Sequence, residues 1–199
     1  MVLDHQFLMQ ELAEYRSPKA RLTRMLRNRD IIQVRRGVFI KPNDTSVSLK
    51  SLASVIYGPS YISFEYALSY YGLIPERSAV ITCATYKKNK DRIFRTPLGE
   101  FHYHYLPEQV YPYDILHNEE FGQGYLIASP EKALCDTLYK VRDIYTLHEL
   151  KVLLQDDLRI DTEMLHTLDK NSITFLAPLY RKKIITTLVN LLETEYSHA

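Results

Sequence analysis

The stretch QVRRGVFI (Gln33–Ile40) places two arginines and a glycine between short apolar runs. The β-branched and aromatic residues on either side favour strands. Gly37 can adopt the positive φ that a tight turn between two strands requires. The stretch therefore predicts a β-hairpin whose turn is Arg35–Arg36–Gly37. What a basic hairpin tip does depends on the segments around it.

The segment before the hairpin predicts a helix from Pro18 to about Asn28. Ser17 is suited to the N-cap, and proline is favoured at the first helical position. The apolar stripe of this helix consists of Leu22, Met25 and Leu26. At about 100° per residue, Arg24 and Arg27 lie opposite Leu22. The helix is therefore expected to have an apolar inner face and an outer face of arginines.

Another helix is expected upstream, over residues 4–15, with Asp4 as its N-cap. Its shared apolar face comprises Phe7, Leu8, Leu12 and Tyr15. A helix pair with an outward row of arginines, followed by a basic hairpin, is the layout of a winged helix-turn-helix. Such domains usually have three helices around their core. Unless the fold is a trimmed one, the third is expected at residues 46–57, whose apolar stripe is Leu49, Leu52, Ala53 and Ile56.

Residues 1–57 are therefore predicted to form a winged helix-turn-helix DNA-binding domain. In that arrangement one helix reads base edges in the major groove, and the wing lies on neighbouring phosphates. The residues predicted to contact DNA are Arg16, Ser17, Lys19, Arg21, Thr23, Arg24, Arg27, Arg35 and Arg36. The alternative is a small α/β unit whose basic face only confers solubility.

The charge distribution favours a polyanionic partner. Between Arg16 and Lys41 the chain has nine basic residues and one acid, Asp30, which gives +8. Because the whole chain carries +1, the remainder carries −7. Positive charge concentrated on one small segment is typical of nucleic-acid-binding surfaces.

Gly58–Pro59 marks a junction, and the pattern beyond it predicts a mixed α/β domain over residues 58–199. Strands are predicted at residues 79–85, 92–96, 100–106 and 125–128. Helices are predicted at residues 63–71, 130–140, 146–154 and 161–169, and a last and longest helix is predicted from Pro178. The fold class is therefore α+β: a winged helix-turn-helix, then a mixed α/β domain with a helical C-terminal tail.

Three motifs in this order resemble the AbiEi antitoxin family of bacterial type IV toxin–antitoxin systems. They are RRGVFI (Arg35–Ile40), YISFEYALSYYGLIPE (Tyr61–Glu76) and LIASPEKALCDTLY (Leu126–Tyr139). The resemblance spans roughly residues 5 to 192. The second motif matches at Ser63, Ala67, Leu68, Gly72 and Leu73. The third matches at Glu131, Lys132, Ala133, Leu134 and Asp136.

The resemblance implies a transcriptional autorepressor and antitoxin without catalytic activity. The N-terminal domain would bind double-stranded DNA at the operator of its own operon. The C-terminal domain, residues 58–199, would counter a toxin of nucleotidyltransferase type without forming a stable complex with it. Helix-turn-helix repressors commonly pair to bind two half-sites, so a homodimer is a further expectation. The tail from Pro178 to Glu195 is a candidate contact between two copies.

A different class of function stays open, in which the second domain is a nucleic-acid-processing, nuclease-like enzyme targeted by the winged helix. Its candidate metal-binding acids are Asp114, Glu119, Glu120, Glu131 and Asp136. A second basic run is either a solvated loop or another contact for nucleic acid or an anionic partner. It consists of Lys87, Lys88, Lys90, Arg92 and Arg95. His102 and His104 share one face of a predicted strand, but no third metal ligand is apparent nearby.

No cofactor or metal site is expected, because the sequence has no glycine-rich phosphate-binding motif, no GxSxG and no HExxH. The two cysteines, Cys83 and Cys135, have no CxxC spacing, so neither a disulfide framework nor a zinc module is predicted. No apolar run approaches the roughly 20 residues that cross a bilayer, and the N-terminus does not read as a signal peptide. The expected location is the reducing cytoplasm, with no membrane partner.

Overall fold

Two helices and three short strands form the N-terminal region of the computed structural model, which describes residues 2–42, 44 and 46–195. In chain order these elements are β1 (Val2–Asp4), α1 (His5–Glu11), α2 (Pro18–Arg27), β2 (Ile32–Arg35) and β3 (Val38–Ile40). The strands pair antiparallel in the order β1-β3-β2. Both helices are therefore inserted between the first strand of the sheet and the hairpin.

Helix α1 begins where the sequence predicts and ends earlier. The Asp4 carboxylate accepts a hydrogen bond from the Phe7 amide at 2.7 Å, which confirms the predicted N-cap. The helix ends at Glu11, so Tyr15 no longer follows its periodicity and is 48% exposed. Phe7 is 40% exposed because it lies about 140° around the helix from Leu12. The predicted apolar face is therefore wrong at Phe7 and Tyr15.

A small core of its own holds these elements together. Its buried members are Leu3, Leu8, Leu12, Leu22, Ile31 and Phe39. Since neighbouring side chains on a strand leave opposite faces, Phe39 enters this core while Val38 and Ile40 enter a second, larger core. The hairpin therefore connects the two cores.

Helix α3 (Leu49–Ile56) packs on a second sheet, against strands that follow it in the chain. Its buried side chains, Leu52, Ala53 and Ile56, belong to the larger core, and no α3 residue appears among the described members of the smaller one. The expectation that this segment supplies the third helix of the small core is therefore wrong. The predicted domain boundary after residue 57 stays a prediction.

The second sheet has six strands in mixed orientation. They are β4 (Ser60–Ile62), β5 (Ile81–Thr85), β6 (Arg92–Thr96), β7 (Gly99–Tyr105), β8 (Ile115–Glu120) and β9 (Gln123–Ala128). Their spatial order is β6-β7-β5-β4-β9-β8. The pairs β5–β7 and β4–β9 are parallel, and the others are antiparallel. Strands β4 and β8 are not predicted by the sequence patterns, because β4 is very short and β8 is mostly polar.

Helices cover this sheet and form the C-terminal segment. They are α4 (Phe64–Tyr70), α5 (Pro130–Lys140), α6 (Leu147–Val152), α7 (Thr162–His166), α8 (Lys170–Tyr180) and α9 (Lys183–Glu195). A 3-10 turn at Glu108–Val110 precedes β8, and a π-helical turn, Leu153–Asp157, continues α6. Pro178 lies inside α8, so the prediction that it starts the last helix is wrong. In the described part of the chain, no helix combines the length and apolar character that a bilayer crossing needs.

Both cysteines are fully buried, and burial raises the pKa of each thiol. Because the thiolate is the reactive form and neither sulfur reaches solvent, we expect no reaction with a thiol reagent in the folded state. Titration with Ellman's reagent should detect no thiol in native protein and both after unfolding in urea. Rapid labelling of either cysteine in the native protein would contradict this burial.

Candidate nucleic-acid interface

The outer face of α2 is basic and open to solvent. Arg24 and Arg27 are exposed, and Leu22 on the opposite side is buried in the small core. Met25 and Leu26 are half-buried against that core. The predicted division of this helix into apolar and arginine-bearing faces is therefore confirmed. A helix anchored on one side in this way presents its guanidinium groups from a rigid support.

Other basic side chains extend this face at the beginning of α2. Arg16, Ser17 and Lys19 are exposed, and the Ser17 side chain makes no capping hydrogen bond. The Arg21 guanidinium lies 5.1 Å from the centre of the Tyr15 ring, and its buried Nε has no hydrogen-bond partner within the described residues. Arg21 is therefore partly held by an aromatic contact. Arg16 and Lys19 have no ion-pair partner among the residues that the structure describes.

The hairpin tip lies at Arg36–Gly37. Gly37 has a φ of +83°, as the sequence predicts. Strand β2 continues through Arg35, so the predicted three-residue turn is wrong by one residue. Arg35 Nη1 donates a hydrogen bond to the Ile56 carbonyl, which commits one of its donors to the end of α3. Arg36 is exposed at the tip. The His5 amide donates to the Gly37 carbonyl at 3.0 Å and fixes the turn beside α1.

The positive charge of this surface is not neutralised locally. Across residues 2–42, 44 and 46–195, no ion pair within 4.0 Å involves Arg24, Arg27 or Arg36. Unpaired guanidinium groups on one small unit produce a positive field that attracts a polyanion. The surface is therefore able to bind phosphate without first breaking internal ion pairs.

The side chains of the second basic run, residues 87–95, point in different directions and have different partners. Arg92 and Arg95 are three residues apart on β6 and therefore leave opposite faces of the sheet. Arg95 is paired with Glu100 at 3.2 Å, and the Lys88 ammonium lies 5.2 Å from the centre of the Tyr57 ring. Lys87 and Lys90 lie in the exposed loop before β6. The structure does not bring the five side chains into one patch.

The two histidines each have a carboxylate partner. His102 Nε2 lies 2.6 Å from Glu100, and His104 Nδ1 lies 2.8 Å from Asp91. Among the residues the structure describes, no three His, Cys, Asp or Glu side chains are grouped so that they could hold a metal ion. The carboxylate partners of His102 and His104 therefore explain both histidines as structural residues.

The acids considered for an enzyme have different contacts and burial. Glu120 pairs with Lys50 at 2.5 Å. Glu131 accepts from the Asp169 amide at 2.9 Å, Asp114 accepts from the Ser172 hydroxyl, and Glu119 is exposed on β8. Asp136 is fully buried. Among the described residues, no three of these acids are grouped so that they could hold a metal ion.

A buried ionic network is the feature that the sequence patterns did not predict. Lys132 and Asp136 are fully buried on α5, with Nζ and Oδ1 3.3 Å apart. The Tyr61 and Ser63 hydroxyls donate to Asp136 at 3.0 and 2.6 Å, and the Tyr180 hydroxyl also donates to it. The i, i+4 pairing is visible in the sequence. The sequence gives one indication that the pair is buried, namely the apolar residues around it on the same helix.

Comparison of the chain with protein-family models and with curated proteins finds no match. The function is therefore inferred from the geometry and from the motifs in the sequence. The described residues form an α+β protein with an N-terminal helix and strand region, a mixed six-stranded sheet and a helical C-terminal segment. Exposed cations without an ion-pair partner among the described residues lie together on α2 and at the hairpin tip.

Proposed function

We propose that the protein is a winged helix-turn-helix DNA-binding autorepressor and antitoxin of the AbiEi type, without catalytic activity. The observation that carries the proposal is the position of α2. It follows α1 after a short turn and precedes a basic-tipped hairpin in a β1-β3-β2 sheet. It exposes Arg24 and Arg27, which have no ion-pair partner among the described residues. This is the two-helix and wing arrangement with which such domains hold a duplex. The described part of the small core contains two helices, α1 and α2, so in this proposal the domain lacks the third helix of the usual winged helix.

In this proposal α2 is the recognition helix. Its ten residues make it about 15 Å long, which suits one turn of the major groove. Arg24, Arg27 and Thr23 face base edges, whereas Arg16, Ser17 and Lys19 contact the phosphates at its start. Arg36 lies on the neighbouring backbone as the wing residue. Arg21 and Arg35 contribute charge and hold the surface in shape.

The six-stranded sheet and its helices are the antitoxin half in this proposal. Two of the motifs that resemble the antitoxin family meet in its core: Ser63, from the second motif, donates to Asp136, from the third, at 2.6 Å. Ala67 and Leu68 are buried in that same core. This contact supports the idea that the two motifs specify one domain. The toxin it opposes is of nucleotidyltransferase type, and no stable complex with it is expected.

A promoter-binding experiment tests the regulator. Gel shifts with the DNA upstream of the gene should give a discrete complex that an equal mass of scrambled duplex does not displace. Equal affinity for both duplexes would reject an operator-specific repressor. Co-expression tests the other half: the chain should restore growth to cells that express a nucleotidyltransferase encoded beside it. No rescue would reject the antitoxin role while leaving the DNA result intact.

A further inference from the structure

A second cationic surface lies in a cleft lined by residues between Tyr105 and Lys182. The cleft has a volume of about 580 Å³, within the range of small-molecule sites. It opens between the end of β7, the end of α5 and the junction of α8 with α9. The residues that give it chemical character are Tyr105, Tyr139, Lys140, Arg142, Arg181 and Lys182. Four cations and two tyrosines therefore share one concave surface.

The chain conformation brings these cations together. Arg181 ends α8 in the left-handed region, with a φ of 51°, and turns the chain into α9. Lys182 then donates to the Val141 carbonyl at 2.5 Å and to the Tyr139 carbonyl, so it joins this corner to the end of α5. Burial, and then the charges of Arg142 and Lys140, lower the pKa of Lys182. Like charges are therefore crowded here.

The remaining partners of these cations are few. Lys140 is 3.2 Å from Asp91 at the side of the cleft. In the described part of the chain, neither Arg142 nor Arg181 is within ion-pair distance of a carboxylate. Both arginines are exposed, so their guanidinium donors are free for a ligand.

A neighbouring cleft of about 350 Å³ continues the same surface. It shares Arg142, Arg181 and Lys182 with the first and reaches Lys183 at the start of α9. Helix α9 has thirteen residues, and the amino end of a helix adds positive partial charge to that of the side chains. The shared cations therefore stand at the middle of one continuous groove.

Aromatic rings form the walls and floor beside these cations. Tyr105 is 41% exposed, and the Lys140 ammonium lies 4.6 Å from the centre of its ring. Tyr139 is half-buried, with its ring 5.9 Å from that of Tyr180. Tyr180 is 2% exposed and is hydrogen-bonded to Lys132 and Asp136 beneath the cleft. The buried ionic network therefore makes the floor rigid.

We propose that this cleft binds a nucleoside phosphate, with its phosphates at Arg142, Arg181 and Lys182 and its base against Tyr105 and Tyr139. Guanidinium groups bind phosphate oxygens through paired, charge-assisted hydrogen bonds. Tyrosine rings beside them offer the stacking surface that a base requires. A plain anion site would not need the two tyrosines, and an apolar ligand would not suit four cations. The proposal does not depend on DNA binding by α2.

The test is isothermal titration of the full chain with ATP, GTP, CTP and UTP in low salt, beside tripolyphosphate and a ten-nucleotide single-stranded RNA. At least one nucleotide or the RNA should bind about tenfold more tightly than tripolyphosphate, because only they carry bases. Preference for free nucleotide or for the RNA identifies the source of the phosphate. Equal affinity for tripolyphosphate, or no binding at millimolar concentration, would overturn the proposal.

Two variants remove charge with little effect on the fold. Arg181→Asn suits the left-handed backbone, which asparagine tolerates well, and Arg142→Gln is an exposed change. Each should weaken binding about tenfold, as expected when a charge-assisted contact to phosphate is lost. Lys182 is left unchanged because it also caps α5. The matched control Arg77→Gln, at an exposed arginine outside the cleft, should bind as the parent does. Unchanged affinity in both cleft variants would place the ligand elsewhere and reject the assignment.

Discussion

Asp136→Ala is expected to lower the free energy of unfolding by about 3–5 kcal/mol, the largest effect we expect from one substitution in this chain. The variant leaves the fully buried ammonium of Lys132 without its counter-charge. Urea denaturation followed by far-ultraviolet circular dichroism measures the change. Tryptophan fluorescence is not an option, since the chain has none.

The hydrogen bonds around Asp136 explain why the cost is large. Three hydroxyls, those of Tyr61, Ser63 and Tyr180, donate to its carboxylate. Burial and the Asp136 charge raise the pKa of Tyr61 and of Tyr180, so both hydroxyls stay protonated and remain donors. Without the carboxylate these buried donors lose their acceptor, and each unsatisfied group adds to the loss. Lys132 keeps its hydrogen bonds to the Val110 carbonyl, at 2.7 Å, and to the Tyr180 hydroxyl, at 2.9 Å, but neither partner carries a counter-charge.

Two further variants separate loss of this network from a general effect of removing an ion pair. Glu76→Ala breaks the exposed pair with Arg159 and should cost no more than about 1 kcal/mol. The double variant Lys132→Met with Asp136→Leu removes both buried charges and should regain the part of the stability loss that comes from the unpaired Lys132 ammonium. If Asp136→Ala were no more destabilising than Glu76→Ala, the network would not carry the stability assigned to it.

Features set by neighbouring residues were predictable from the sequence, and features set by tertiary packing were not. Asp4 as a cap, the start of α2 at Pro18 and the glycine turn at Gly37 depend on local chemistry, and the structure has them where expected. The predicted helix at residues 146–154 also starts by local chemistry, with a capping box formed by Thr146 and Glu149. The core that α3 joins is not determined by its local sequence. Its apolar stripe fits either core, and only the adjacent strands decide which core it joins.

The positions of charge clusters in space are likewise set by tertiary structure and not by the local sequence. The run from Lys87 to Arg95 is dense in sequence but separates in space, because strand geometry sends Arg92 and Arg95 to opposite faces. The cleft cations behave in the opposite way. Lys140 and Arg142 are about forty positions from Arg181 and Lys182 in the chain, yet they line one cavity. The density of charge along the sequence therefore predicts the α2 surface, where one helix carries the arginines. It does not predict the cleft, whose cations come from distant parts of the chain.

Arg24→Ala and Arg27→Ala should each relax the sequence preference of operator binding, at a cost of about 1–3 kcal/mol if a base contact is lost. Arg36→Ala should instead weaken binding to all duplexes alike and reduce the salt dependence by about one unit of slope. The reason is position: Arg24 and Arg27 lie on the outer face of a helix, and Arg36 lies at a hairpin tip. Fluorescence anisotropy with operator and scrambled duplexes at several salt concentrations measures both quantities.

Arg35 and Arg36 provide an internal control, because they are neighbours with the same charge and different contacts. Arg35 donates to the Ile56 carbonyl at the end of α3, whereas Arg36 has no such partner among the described residues. Arg35→Ala should therefore lower both stability and DNA affinity, and Arg36→Ala should lower affinity alone. Arg77→Ala, at an exposed site outside the small N-terminal unit, should change neither. If Arg24→Ala and Arg36→Ala altered binding no more than Arg77→Ala, the basic face of α2 and its hairpin would be a solvated surface, and the DNA-binding proposal would fail with it.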